Sequence, residues 1–151
     1  MKKIVLVTGG FDPLHSGHIK LLLDASSLGN ELFVGLNSDK WLIRKKGFFF
    51  LPLNERKIII ENLKMVNKII LWDDTDNSAN GAIYKSLKFL NDKDTLVFAN
   101  GGDRVAKNIP EIKKYEKNNR VHFLFGIGGF KKINSSTNIL NTFKKKIIKD
   151  V

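Results

Sequence analysis

The chain contains no cysteine, which excludes disulfide staples, thiolate metal sites and cysteine nucleophiles together. With three prolines it has no proline-rich linker or polyproline segment. No apolar run approaches the roughly 20 residues that a membrane-spanning helix needs. After Lys2-Lys3 the opening apolar stretch is ended by Gly9-Gly10 and Asp12, so it reads as a first strand and not as a signal peptide. Acidic residues are scarce: 15 Asp and Glu stand against 26 Lys and Arg, for a net charge of +11. Such a balance favours acidic ligands, meaning nucleotides, sugar phosphates or nucleic acid. Much of the excess lies in Lys113-Lys114, Lys117 and Lys144-Lys145-Lys146, within helical patterns, and reads as solvated face. Also missing are a Gly-x-x-x-x-Gly-Lys-Ser/Thr phosphate loop and a Gly-x-Gly-x-x-Gly turn after the first strand.

What is present fits one domain spanning 1–151, since 42% of the 151 residues are apolar. Strands are expected at Ile4–Val7, Leu32–Leu36, Lys68–Trp72, Thr95–Ala99 and Val121–Phe125. Helices are expected at His18–Leu28, Leu53–Met65, Gly81–Leu90, Ile109–Asn118 and Ser136–Ile148. Short apolar strands alternating with helices predict an α/β fold: one doubly wound, Rossmann-like parallel sheet of about five strands, with ligands at the carboxyl ends of the strands. Ser38–Pro52, with Arg44-Lys45-Lys46-Gly47 and Phe48-Phe49-Phe50, reads as a long loop.

The densest chemistry lies in Gly9-Gly10-Phe11-Asp12-Pro13-Leu14-His15-Ser16-Gly17-His18. It joins the first strand to the first helix. A helix start offers unpaired N–H groups and partial positive charge, which suit a phosphate. Glycines let a ligand approach the backbone. Two histidines alone, with no cysteine or third histidine nearby in sequence, do not make a zinc site, so no resident metal is expected. Asp12 reads as holding the turn, His122 as structural, and Asp73-Asp74-Thr75-Asp76 as a solvated turn. Phe48-Phe49-Phe50 is divided between acceptor contact and packing, and Asp103 and Arg104 between ligand contact and loop anchoring. Ser135-Ser136 reads as a helix cap and equally as a phosphate contact, because both use the same geometry.

The segment Gly9–His18 is complete at every defining position of Gly-x-Phe-Asp-x-x-His-x-Gly-His, and on it the chain resembles the cytidylyltransferase-like family of nucleotidyltransferases. Asn37-Ser38-Asp39, the lysine-bearing loop, Asn54-Glu55-Arg56, Gly101-Gly102-Asp103 and Ile133-Asn134-Ser135-Ser136-Thr137 are similar to further family segments. The resemblance implies that His15, His18 and Lys45 are catalytic and stabilise charge in the transition state. It implies that Gly9, Gly10, Phe11, Ser16, Gly17, Lys46, Gly102, Asp103, Ser135, Ser136 and Thr137 hold the nucleotide. Arg56 and Arg104 would pair with phosphate of the acceptor or the triphosphate. The chain departs from glycerol-phosphate cytidylyltransferases where these carry an arginine before the late Ser/Thr motif; here Lys131 or Lys132 stands there. Gly101-Gly102-Asp103 and Ser136-Thr137-Asn138-Ile139 also resemble the adenylyltransferase half of heptose-phosphate enzymes.

The reaction this implies is transfer of CMP from CTP to a small phosphorylated alcohol or sugar, with release of pyrophosphate. The alternative is transfer from ATP to a sugar phosphate or other phosphate ester. Mg²⁺ is expected with the triphosphate, and a cytoplasmic homodimer without membrane attachment is expected as the working form. A basic nucleic-acid-binding module is a reading of another class. It would place basic and aromatic residues together on one face, and here only Arg44–Phe50 does so.

Overall fold

In the computed structural model, which describes residues 1–102, 104–129 and 131–149, five parallel strands form one sheet in the order β3-β2-β1-β4-β5. The strands are β1 (Lys3–Gly9), β2 (Glu31–Leu36), β3 (Lys68–Ile70), β4 (Thr95–Gly101) and β5 (Val121–Ile127). The helices are α1 (Ser16–Ser26), α2 (Asp39–Lys46), α3 (Leu53–Glu61), α4 (Asn80–Leu87), α5 (Glu111–Tyr115) and α6 (Ser136–Lys149). The expected doubly wound α/β architecture is therefore observed.

Alternation along β1 decides how the sheet is covered, because successive side chains point to opposite faces. Ile4 and Leu6 join Phe33, Phe98, Ala82 and Ile83 in one buried cluster. Val5 and Val7 join Leu22, Ala25, Val34 and Ile60 in the other. With α4 on one face and α1 and α3 on the other, the central strand is buried on both sides. Its four apolar residues Ile4, Val5, Leu6 and Val7 are at most 1% exposed. The strand order reverses at β1, between β2 and β4, so the carboxyl end of β1 opens onto the crevice of the sheet.

Two expectations are corrected. The stretch Ser38–Pro52 is not one long loop, because α2 occupies most of it. Ser38 starts that helix by accepting the Trp41 N–H on its side chain, and Gly47 ends it with φ +87°. A left-handed terminus of this kind favours glycine. Nor is Asp73–Asp76 a wholly solvated turn. Asp74 is 3% exposed and accepts hydrogen bonds from Asn37 Nδ2, Ser38 N and Ser38 Oγ. It ties the end of β2 to the segment after β3. His122 lies in β5 and is exposed.

Candidate active site

The two histidines of the opening motif build the start of α1. His15 is its N-cap: its Nδ1 accepts the Gly17 N–H at 3.1 Å. His18 Nδ1 accepts the His15 N–H at 3.3 Å. The pair thus closes a reciprocal capping box from imidazoles, where Ser or Thr with Glu or Gln is usual. The rings stack at 3.7 Å between centroids. A Cβ at position 17 would lie 2.9 Å from His15 Cε1, so glycine there leaves room for the cap. Phe11, in the left-handed region at φ 50°, packs edge-on against His18.

This geometry fixes the chemistry of both imidazoles. With each Nδ1 accepting a backbone N–H, the proton of each neutral ring sits on Nε2. Burial lowers the pKa of His15. His18 is pushed down to about 3, mainly by burial, with the neighbouring charges of His15 and Lys46 adding to the effect. At neutral pH the corner therefore presents two uncharged Nε2–H donors beside the helix start.

Three clefts run along the carboxyl ends of the strands. The first, about 250 Å³, is lined by His15, His18, Gly102, Lys131, Lys132 and Ser135, among others. The second, about 200 Å³, is bounded by Gly9, Gly10, Phe11, His18, Arg104 and Lys132. The third, about 300 Å³, takes in Thr8, Trp41, Lys45 and Arg104. His18 and Lys132 are common to the first two, and Thr8 and Arg104 to the last two.

Most of the expected site residues meet in this groove. Gly17 and Ser136 line the first cleft. Ser135 Oγ accepts the Asn138 N–H at the start of α6, so the capping role is present in the same place. Ser136 Oγ donates to Pro13 O and fastens α6 to the opening loop. Lys45 lies over the Trp41 ring at 4.5 Å. Arg104 Nη1 reaches Asn100 Oδ1 at 3.5 Å while lining two clefts, so it both anchors the loop and faces the groove. Ser16 and Thr137 are exposed on the first turns of α1 and α6, outside the cleft linings. Asp103 lies outside the described residues.

Two basic residues differ from expectation. Arg56 is 1% exposed. Its guanidinium donates to Leu51 O, Gly10 O, Asn37 O and Asp39 Oδ1. Those four bonds bind it into the framework behind the corner, so it is not a phosphate-facing arginine. Lys46 Nζ donates to Asp12 O at 2.6 Å, which makes it a brace of the opening loop here. Asp12 accepts the N–H groups of Phe50 and Leu51, and so holds the turn as expected. Sequence reasoning missed Asn37, Trp41, Trp72 and Glu111 as lining residues of the third cleft. Only Asn37 carried a signal, through the Asn37-Ser38-Asp39 segment.

Residues 6–141 match the family model described as cytidylyltransferase-like. The chain belongs to this family. It is 38% identical over 111 residues to the bifunctional protein HldE of Blochmanniella floridana, covering 72% of this chain and 21% of that protein. It is 31% identical over 137 residues to the HldE of Cronobacter sakazakii, covering 78% and 28%. The chain thus spans under a third of the length of these curated relatives. A solved lipopolysaccharide core biosynthesis protein from Thermoplasma volcanium superposes with a TM-score of 0.65 at 25% identity, covering 89% of this chain and all of the other. A bifunctional NMN adenylyltransferase/ADP ribose pyrophosphatase from Francisella tularensis shares the fold, with a TM-score of 0.67 at 15% identity over 97% of this chain and 43% of its own.

Among the described residues no helix is long and apolar enough to cross a membrane. Nor do they contain a group of three or more His, Cys, Asp or Glu side chains able to hold a metal ion.

Proposed function

We propose that this family member transfers an adenylyl group from ATP to a phosphorylated acceptor of the sugar-phosphate class, releasing pyrophosphate. The observation that carries the reading is the imidazole capping box, which sets two neutral Nε2–H donors at a helix start inside a glycine-lined groove. ATP is placed ahead of CTP on two grounds. The Gly101-Gly102 and Ser136-Thr137-Asn138-Ile139 segments resemble the adenylyltransferase half of heptose-phosphate enzymes, and the curated relatives are bifunctional HldE proteins.

In this scheme an acceptor phosphate oxygen attacks the α-phosphorus of ATP. The bond from that phosphorus to the bridging oxygen breaks, and pyrophosphate leaves in line. Charge grows on the α-phosphate oxygens and on the leaving group, so the protein's work is positioning and electrostatic stabilisation. His15 and His18 donate to those oxygens. The start of α6, with Ser135 and Ser136, receives the distal phosphates, and Lys131 or Lys132 serves where glycerol-phosphate cytidylyltransferases carry an arginine. Mg²⁺ travels with the triphosphate, held by phosphate oxygens and water. The reaction draws on the cytoplasmic nucleotide pool, where we place the chain.

A pyrophosphate-release screen of four nucleoside triphosphates against a panel of phosphate esters, with Mg²⁺, tests this reading. ATP with a sugar phosphate gives the fastest release. CTP as the better donor reverses the choice of base, and no release from any pair refutes the activity.

A further inference from the structure

The third cleft lies across β1 from the α6 side of the groove, and its polar lining contains two acceptors that have no described donor and are open to solvent in the cleft. Glu111, on α5, is 3% exposed. One of its carboxylate oxygens accepts the Ala79 N–H. The other has no hydrogen-bond partner among the described residues, and no described cation pairs with Glu111, although it lines the cleft. That oxygen is not among the fully buried atoms, so it is reached from the cleft and can accept from a hydroxyl of a ligand in place of water. Asn37, 5% exposed, lines the same cleft. Its Nδ2 donates to Asp74 Oδ2. Since a carboxylate only accepts, this contact fixes which end of the amide is nitrogen. Asn37 Oδ1 is left without a described donor.

The remaining lining supplies the complementary features. Lys45 and Arg104 bring positive charge, and Arg104 also lines the neighbouring cleft that contains His18. Trp41 and Trp72 add apolar surface. A ligand that satisfies all of these carries several hydroxyl donors at one end and a phosphate at the other. An aminoalcohol phosphate fits less well. Lys45 already lies over the Trp41 ring, and Trp72 is 8% exposed with its N–H tied to Ser78 O, so no open aromatic face awaits a second cation.

Resting on the proposed nucleotidyl transfer, we propose that Glu111 and Asn37 are the specificity-determining residues of the acceptor subsite. They receive hydroxyl groups of a sugar phosphate whose phosphate lies towards Arg104.

Both tryptophans of the chain line this cleft, so intrinsic fluorescence reports its occupancy without turnover. The full chain is titrated with the anomeric phosphates of glucose and mannose, with glycerol phosphate and ethanolamine phosphate as controls. Parent, Glu111→Gln and Asn37→Ala are compared, and thermal melts confirm that each variant is folded. Glu111→Gln keeps an oxygen for the Ala79 N–H, so it tests recognition with the fold retained. The expected result is a fluorescence change with a hexose phosphate that saturates more tightly than with either control. Its Kd should rise about tenfold or more in Glu111→Gln, with ATP affinity unchanged. In turnover the same variant raises the acceptor KM more than it lowers kcat.

Equal hexose-phosphate affinity in parent and variant overturns the assignment, as does joint weakening of sugar phosphate and ATP. Tighter binding of ethanolamine phosphate also overturns it. Hexose-phosphate binding that depends on Glu111, without pyrophosphate release from any pair, upholds the subsite while refuting the transfer reaction.

Discussion

At the scale of single residues, the two imidazoles perform one structural and one chemical task with different nitrogens. Nδ1 closes the helix cap and Nε2 remains for the ligand, so truncation affects both. His18→Ala is expected to lower kcat by about a hundredfold or more, as for loss of one preorganised transition-state donor, with a smaller effect on the KM for ATP. Steady-state kinetics check this, and an equal loss in both constants refutes the transition-state role. His18 also makes stability depend on pH. In the unfolded chain its imidazole takes a proton as pH falls below 6.5, whereas the folded ring resists until about 3. Its contribution is therefore fully present above 6.5 and is lost progressively towards 3. Denaturant midpoints of the parent should fall more steeply across that window than those of His18→Gln. Arg56 belongs to the framework. Arg56→Ala leaves Asp39 and three carbonyl oxygens without their donor, and should cost about 3 kcal/mol or more of stability in urea unfolding. The resemblance of Asn54-Glu55-Arg56 to a family segment implied a phosphate contact; burial and four hydrogen bonds within the chain distinguish the two roles.

Among the elements, α2 and the turn after it are fastened to the opening loop by Asp12, which receives Phe50 N–H, Leu51 N–H and the charge of Lys46. Asp12→Ala should release Phe50 and Leu51 to rapid amide hydrogen exchange while the central strands stay protected. Uniform loss of protection would show a global effect instead. Strand and helix alternation was legible because β1, β2 and β4 are continuous apolar runs, the pattern of strands covered on both faces. The α2 helix was not legible, since Asp39–Lys46 contains only Trp41, Leu42 and Ile43 as apolar residues, of which just Leu42 is buried. Eight residues held by a serine cap and a left-handed glycine carry little periodic signal. The histidine corner was legible because its residues are contiguous. The third cleft was not, because Asn37, Trp72 and Glu111 are brought together from three distant parts of the chain by Asp74 and the sheet order.

For the molecule as a whole, a net charge of +11 attracts nucleotides through a field that salt screens. ATP affinity measured by calorimetry should weaken steadily as NaCl is raised. An affinity indifferent to salt would remove Lys45, Arg104, Lys131 and Lys132 from the binding field. The same charge underlies the nucleic-acid reading, which requires tight, strongly salt-dependent DNA or RNA binding without nucleotide turnover. A homodimer remains our proposal for the working form, and sedimentation equilibrium checks it directly. One fastening also bears on how the protein is made. Ser136 reaches back to Pro13 across 123 positions of sequence, so the loop that carries the two imidazoles receives this partner only after α6 has been made. A nucleotide bound at that corner would therefore stabilise the chain only once this late closure has formed.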